Sequence, residues 1–235
     1  MNDSSTGLSP QLPQMLAAEF IGTFALIFFG PGAGVVNAQT QALGHWGVAI
    51  VFGLVVAGAV TTLGPISGAH INPVATLALW VSRRFPARLV LPYMLAQLAG
   101  ASAAGFTLLA LFGTEGKLGV TVPRGSDAQA FTLEAILTFW LILVALRSSG
   151  PGAGMLVGSV VMCEAMMGGP ITGASMNPAR SFGPAIAAGI WTSHWLYWVA
   201  PTLGAFLAVG ANMLLETKLE TNRRDDGIHS EITNR

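Results

Sequence analysis

Two near-copies, Ser67-Gly-Ala-His70-Ile-Asn72-Pro73-Val74-Ala-Thr76 and Thr172-Gly-Ala-Ser175-Met-Asn177-Pro178-Ala179-Arg180-Ser181, decide how this chain folds. In each, small residues lead into an Asn-Pro pair and then a short apolar run. Asn is a favoured helix N-cap and Pro a favoured first helical residue, so both pairs read as helix starts. The helix begun at Asn72 runs at most to about Phe85–Pro86. At ~1.5 Å per residue that is roughly 20 Å, short of a hydrocarbon core of ~30 Å. Both are expected to be half-helices starting at the membrane midplane, with the function lying between their N-termini.

The rest of the chain supplies the membrane setting. Charged residues make up 9% of it and hydrophobic residues 52%, with a mean hydropathy of +0.62. A soluble domain carries about a quarter charged residues. The polar residues gather at the ends and in short gaps. This reads as an all-α membrane protein, because backbone in lipid must satisfy its own hydrogen bonds. A net charge of zero gives no footprint for nucleic acid. Met1–Pro13 lacks a basic n-region and a small-residue cleavage site, so no signal peptide is expected and residues 1–13 read as a disordered cytoplasmic tail. Apolar spans are predicted at about 15–36, 44–63, 89–112, 131–149, 153–170 and 194–215, with half-helices at about 72–85 and 177–188. Residues 216–235 read as a second, mostly disordered cytoplasmic tail.

The order is three elements and a half-helix, then the same again. Glu19 in Ala-Glu-Phe-Ile-Gly-Thr-Phe is echoed by Glu134 in Leu-Glu-Ala-Ile-Leu-Thr-Phe, and Ala96, Gly100 and Ala104 recur as Ala200, Gly204 and Ala208. Such small-xxx-small faces let membrane helices approach closely. The channel region, 14–215, is thus read as repeats at about 15–112 and 130–215. An odd number of spans per repeat inserts the halves with opposite orientation, and paired broken helices in inverted repeats point to a central site. Arg83, Arg84, Arg88, Arg147, Lys218, Arg223, Arg224 and Arg235 fall on one side, against Lys117 and Arg124 on the other. The positive-inside rule places both termini in the cytoplasm and 113–130 outside.

Asn72 and Asn177 carry the chemistry first. Each side-chain oxygen can cap its own half-helix, leaving the NH₂ donors for a lumen. Facing half-helix N-termini contribute positive potential, which repels cations and protons while neutral solutes still find hydrogen bonds. Arg180, three residues on, is costly at this depth unless it faces water or a partner. It reads as a donor at the narrowest point of a pore.

The two Asn-Pro boxes, with Ser-Gly-Ala-His-Ile-Asn-Pro, Met-Asn-Pro-Ala-Arg-Ser-Phe-Gly-Pro and the Ala-Glu-Phe opening, resemble the aquaporin (major intrinsic protein) family over roughly 15–215. The resemblance implies an hourglass of six membrane helices and two re-entrant half-helices, assembled as a homotetramer with one pore per subunit. It carries over a selectivity filter of Phe52, Ala165, Ala174 and Arg180, which lie at the family's spacing from Asn72 and Asn177. Phe52 and Arg180 resemble water-selective members. Ala165 and Ala174 stand where those members usually have His and Cys or Thr, and imply a wider, less polar constriction. Gly-Pro-Ile-Thr-Gly-Ala-Ser-Met-Asn-Pro and Thr121-Val-Pro-Arg-Gly-Ser-Asp127 look nodulin-26-like, whereas Ser181, Ala185 and Tyr197-Trp198 look water-type. Val74 departs from the usual Ala and is expected to narrow or dry the midpoint. The resemblance also implies that Glu19 and Glu134 brace the loops entering the half-helices by accepting backbone N–H bonds.

Glu164 has no counterpart in the first repeat. Its carboxyl needs a proton, pore water or a partner such as Arg180, and it either reaches the outer constriction or sits behind the pore wall. His70 either packs in its loop or lines the pore. Cys163 is expected to face away from the pore, and as a single cysteine it allows no internal disulfide. Trp46, Trp80, Trp191, Trp195, Tyr197 and Trp198 read as an interfacial belt. No metal-ligand spacing, nucleophile–base set or cofactor motif appears, so an enzyme is not expected. The function expected is passive conduction of water and small neutral solutes, glycerol or metalloid hydroxides included, across the cell membrane. The alternatives are a proton-coupled transporter using the glutamates and a poorly conducting structural membrane protein.

Overall fold

The computed structural model describes the backbone of residues 11–233 and the side chains of residues 11–215. Eight α-helices lie among the described residues: α1 (Leu12–Thr40), α2 (Gly44–Ser67), α3 (Pro73–Val81), α4 (Ala87–Phe112), α5 (Asp127–Arg147), α6 (Ala153–Thr172), α7 (Pro178–Ala188) and α8 (Leu196–Thr233). Six of them, α8 counted up to Leu215, are long and apolar enough to cross a bilayer. With 9 and 11 residues, α3 and α7 are not. Residues 1–10 of the expected N-terminal tail lie outside the described residues. Leu12 and Pro13 already belong to α1, since Pro in a first turn gives up only an N–H that has no helical partner. At the other end α8 continues as helix to Thr233, through the stretch read as a tail. α3 stops four residues short of the expected end, where Arg83 turns left-handed at φ 61°.

Each re-entrant segment is made the same way. α2 and α6 end on glycines in the left-handed region, Gly68 at φ 87° and Gly173 at φ 88°. The chain then doubles back through Ala69 (φ 45°) and Ile71 (43°), and through Ala174 (44°) and Met176 (50°). Residues with a Cβ hold such angles only where their surroundings over-determine them. The near-identity of the two sets shows the repeat at the level of the backbone.

Glycines set the distances between spans. A Cβ on Gly100 of α4 would collide with the Phe20 carbonyl of α1, and one on Gly204 of α8 with the Ala135 carbonyl of α5. These are the same contact in the two repeats. Gly53 and Gly158 bring α2 and α6 into backbone contact, and Gly105 and Gly183 do so for α4 and α7. In lipid, where apolar side chains gain nothing by leaving the solvent, this close approach supplies the attraction between helices. Leu54, Leu91, Leu111 and Leu214 point outward and are more than half exposed, as a lipid-facing surface requires.

Candidate pore and its constriction

Asn72 and Asn177 sit in extended backbone at the heads of α3 and α7. The Asn72 Oδ1 accepts the Val74 N–H at 2.9 Å, and the Asn177 Oδ1 accepts those of Ala179 (2.9 Å) and Arg180 (3.3 Å). Their amides cross the pseudo-symmetry axis. The Asn72 Nδ2 donates to the Met176 carbonyl at 2.9 Å, and the Asn177 Nδ2 to the Ile71 carbonyl at 2.8 Å. The NH₂ donors are therefore not wholly free: one proton of each locks the opposite re-entrant loop, and a primary amide retains a second. The two half-helices meet head to head at the centre of the fold, with their positive ends together.

Behind each loop stands a fully buried carboxylate. Glu19 accepts the N–H groups of His70 (2.9 Å) and Ile71 (2.7 Å), the Ser67 hydroxyl (2.7 Å) and the Gln97 amide (2.8 Å). Glu134 accepts the N–H groups of Ser175 (2.9 Å) and Met176 (2.8 Å) and the Thr172 hydroxyl (2.7 Å). These bonds hold the strained residues in place. Two tyrosines add to the bracing: Tyr93 donates to the Ser67 carbonyl at 2.9 Å and Tyr197 to that of Thr172 at 2.7 Å. The sequence reading missed this pair, although Tyr93 and Tyr197 share the offset of Gly100 and Gly204. It placed Tyr197 in the interfacial belt, but Tyr197 is buried because its hydroxyl is needed inside.

A cavity of about 790 Å³ runs from Arg180 and Phe52 past Asn72 and Asn177 to Arg84 and Gly150 at its other end. All four residues read as the filter, Phe52, Ala165, Ala174 and Arg180, line it. The guanidinium carbon of Arg180 stands 5.0 Å over the Phe52 ring, an arrangement that fixes both groups. The Phe52 ring fits because its neighbour on α1 is Gly30, where a Cβ would strike it. Arg180 donates through Nη1 to the Gly119 carbonyl at 2.8 Å and through Nη2 to that of Gly173 at 3.4 Å. His70 also borders the cavity. Its Nδ1 pairs with the Thr76 hydroxyl at 3.0 Å, and its ring packs on Phe85 and Tyr93.

Other residues fall elsewhere than the sequence suggests. Val74 is directed away from the cavity into a cluster with Ile142, Leu146, Ala205 and Ala208, so its extra carbons fill the space behind α3 rather than the lumen. Glu164 is also outside the cavity lining, although its neighbour Ala165 and Val161 are in it. It is buried, and the Arg180 guanidinium donates to the Gly119 and Gly173 carbonyls instead of to it. Cys163 is exposed on the outer face of α6 and does not line the cavity. Among the described residues no cluster of three or more His, Cys, Asp or Glu side chains is placed to hold a metal.

Spanning helices around two capped half-helices, with a cavity through their meeting point that is largely apolar and carries Asn72, Asn177 and Arg180, define a membrane channel. Residues 8–211 match the Major intrinsic protein family. The chain is 42% identical to Aquaporin NIP1-1 of Arabidopsis thaliana over 218 residues, which cover 86% of this chain and 74% of that protein. It is 44% identical to Nodulin-26 of Glycine max over 200 residues, 82% of this chain and 74% of that protein. The fold is similar to the X-ray structure of the aquaglyceroporin from Plasmodium falciparum, with a TM-score of 0.77, 27% identity, and coverage of 84% of this chain and 94% of that one. The chain belongs to the major intrinsic protein family, and it is a passive channel for water and small solutes rather than an enzyme.

Proposed function

We propose that this channel passes water together with small uncharged hydroxylated solutes of the size of glycerol and the metalloid hydroxides, and excludes protons and ions. The observation that supports this most is that Phe52 and Arg180 share the cavity wall with two alanines, Ala165 and Ala174. Arg180 offers a charged donor and Phe52 an apolar face, which suits a solute with hydroxyls on one side and carbons on the other. Two methyl groups complete the ring where larger side chains would leave room for water alone. The paired helix heads and the Arg180 charge raise the potential against cations. Asn72 and Asn177 would orient the solute at the midpoint. In the same proposal the channel is a homotetramer in the cell membrane with both termini in the cytoplasm, a reading supported by the side on which the arginines gather.

Light scattering from proteoliposomes tests it. Vesicles should shrink fast in sucrose and, after a glycerol or boric acid shock, re-swell several times faster than empty ones. Flux should follow the solute gradient and ignore an imposed proton gradient. Fast water flux with glycerol and boric acid no faster than in empty vesicles would overturn the solute assignment. Flux that tracks the proton gradient would overturn the passive mechanism proposed for those solutes.

A further inference from the structure

The stretch Gly119–Arg124, between the 3₁₀ turn Glu115–Gly119 and α5, lies along the second re-entrant segment and touches it at four points. The Gly119 carbonyl accepts Arg180 Nη1 at 2.8 Å, and the Thr121 hydroxyl donates to the Ser181 hydroxyl at 2.7 Å. The Thr121 side chain also fills the space left by Gly173, and the Arg124 N–H donates to the Ile171 carbonyl at 2.9 Å. Thr121 is buried, unlike most of its loop. From Ser181 the hydroxyl chain continues at 2.6 Å to Ser175, whose Oγ donates to the Asn177 carbonyl at 2.9 Å. One threonine thus joins an external loop to the residues on both sides of Arg180.

Comparison of the repeats shows why a loop is needed. In the first repeat His70 and Thr76 hold the positions of Ser175 and Ser181, and Thr76 is tied by Gln97 of α4 at 3.0 Å. At the offset that relates Gly100 to Gly204, Gln97 corresponds to Pro201, which has no side-chain donor. Among the described residues the second box therefore has no equivalent tie from a spanning helix to Ser181, and Thr121 supplies it from outside. The half that carries Arg180 is the half braced by the loop.

We propose that Thr121 is a positioning residue for solute selection: through Ser181, and with the Gly119 carbonyl on the guanidinium, it holds Arg180 against the wall beside Phe52. Gly119 fits this role by its left-handed φ of 69° and by its contact with Pro31, where a Cβ would be crowded. Without the Thr121–Ser181 bond the strap loosens, and the guanidinium leans into the lumen, obstructing a larger solute more than water. This rests on the filter reading above, which the wild-type fluxes test separately.

The experiment compares wild type with Thr121→Val, Thr121→Ser and Ser181→Ala in proteoliposomes, reading the ratio of glycerol to water permeability. The ratio is expected to fall at least about threefold in Thr121→Val and in Ser181→Ala, to fall no further in the double variant, and to be retained in Thr121→Ser. A smaller fall in either variant, additive effects, or an equal fall in Thr121→Ser would overturn the proposal. Where wild type passes no glycerol the filter reading fails, and hydrogen–deuterium exchange then decides on the strap. Exchange in peptides from both 119–126 and 171–182 should rise in Thr121→Val and in Ser181→Ala alike, whereas a rise confined to the substituted segment overturns the coupling. Ser181→Ala carries the test if Thr121→Val does not fold.

Discussion

At the scale of single residues, the proposed filter combines one fixed charge with two very small side chains. Arg180 is held by two backbone carbonyls and by the Phe52 face, so its position does not depend on the solute. Ala165 borders the same cavity from α6, and a larger side chain there projects into the lumen. Ala165→His is therefore expected to lower glycerol permeability by about tenfold, the effect of roughly 1.4 kcal/mol on the barrier, while water permeability changes far less. Stopped-flow light scattering on reconstituted protein checks this, and equal loss of both fluxes would show that Ala165 is not at the constriction. These positions were read through the family resemblance, which carries the filter over at set spacings from each Asn-Pro pair. The direction of Val74 and the burial of Glu164 were not legible in the sequence, since each depends on which neighbouring helix covers that face.

Elements come next. The spanning helices meet backbone to backbone at glycines, so those positions tolerate little. Gly100→Val pushes α4 off the Phe20 backbone of α1 and should destabilise the fold by about 1–3 kcal/mol, the usual range for overpacking. Thermal unfolding in detergent, followed by tryptophan fluorescence, should show a lower midpoint, and Gly204→Val should do the same at the α5–α8 contact. An unchanged midpoint for both would mean that the helices have slack to separate. The half-helices depend on different support. Their loops contain strained non-glycine residues, and the buried Glu19 and Glu134 carboxylates take up the N–H groups that this backbone leaves without helical partners. The repeat symmetry of the two glutamates was visible in the sequence. The tyrosines that complete the bracing were hidden among residues of interfacial type.

For the molecule as a whole, the odd number of spans per repeat has one topological consequence: loops at matching positions emerge on opposite sides. In a Cys163→Ser background, Glu115→Cys and Ser149→Cys place one thiol in each kind of loop, both at exposed positions. A membrane-impermeant maleimide should label Glu115→Cys on intact cells and Ser149→Cys only after permeabilisation. The reverse pattern would invert the orientation drawn from the arginines. The inverted arrangement also explains why the helix heads meet. Two copies of one unit, related by an axis in the membrane plane, present the same ends of their half-helices to each other, and the two asparagine amides close the junction from both sides.

The sequence by itself determined which segments cross the bilayer, which two re-enter, and that the halves are copies. These follow from local rules: backbone in lipid must form its hydrogen bonds within the segment, and Asn-Pro starts a helix wherever it occurs. The family likeness extended that reading to the residues proposed as the filter. Only the tertiary structure decided how the halves lock. The Asn72 amide on Met176, the Arg180 guanidinium on Gly119 and the Thr121 hydroxyl on Ser181 join residues separated by 104, 61 and 60 positions. No local rule reaches that far, because such pairs form only after the helices have packed and turned particular faces to one another.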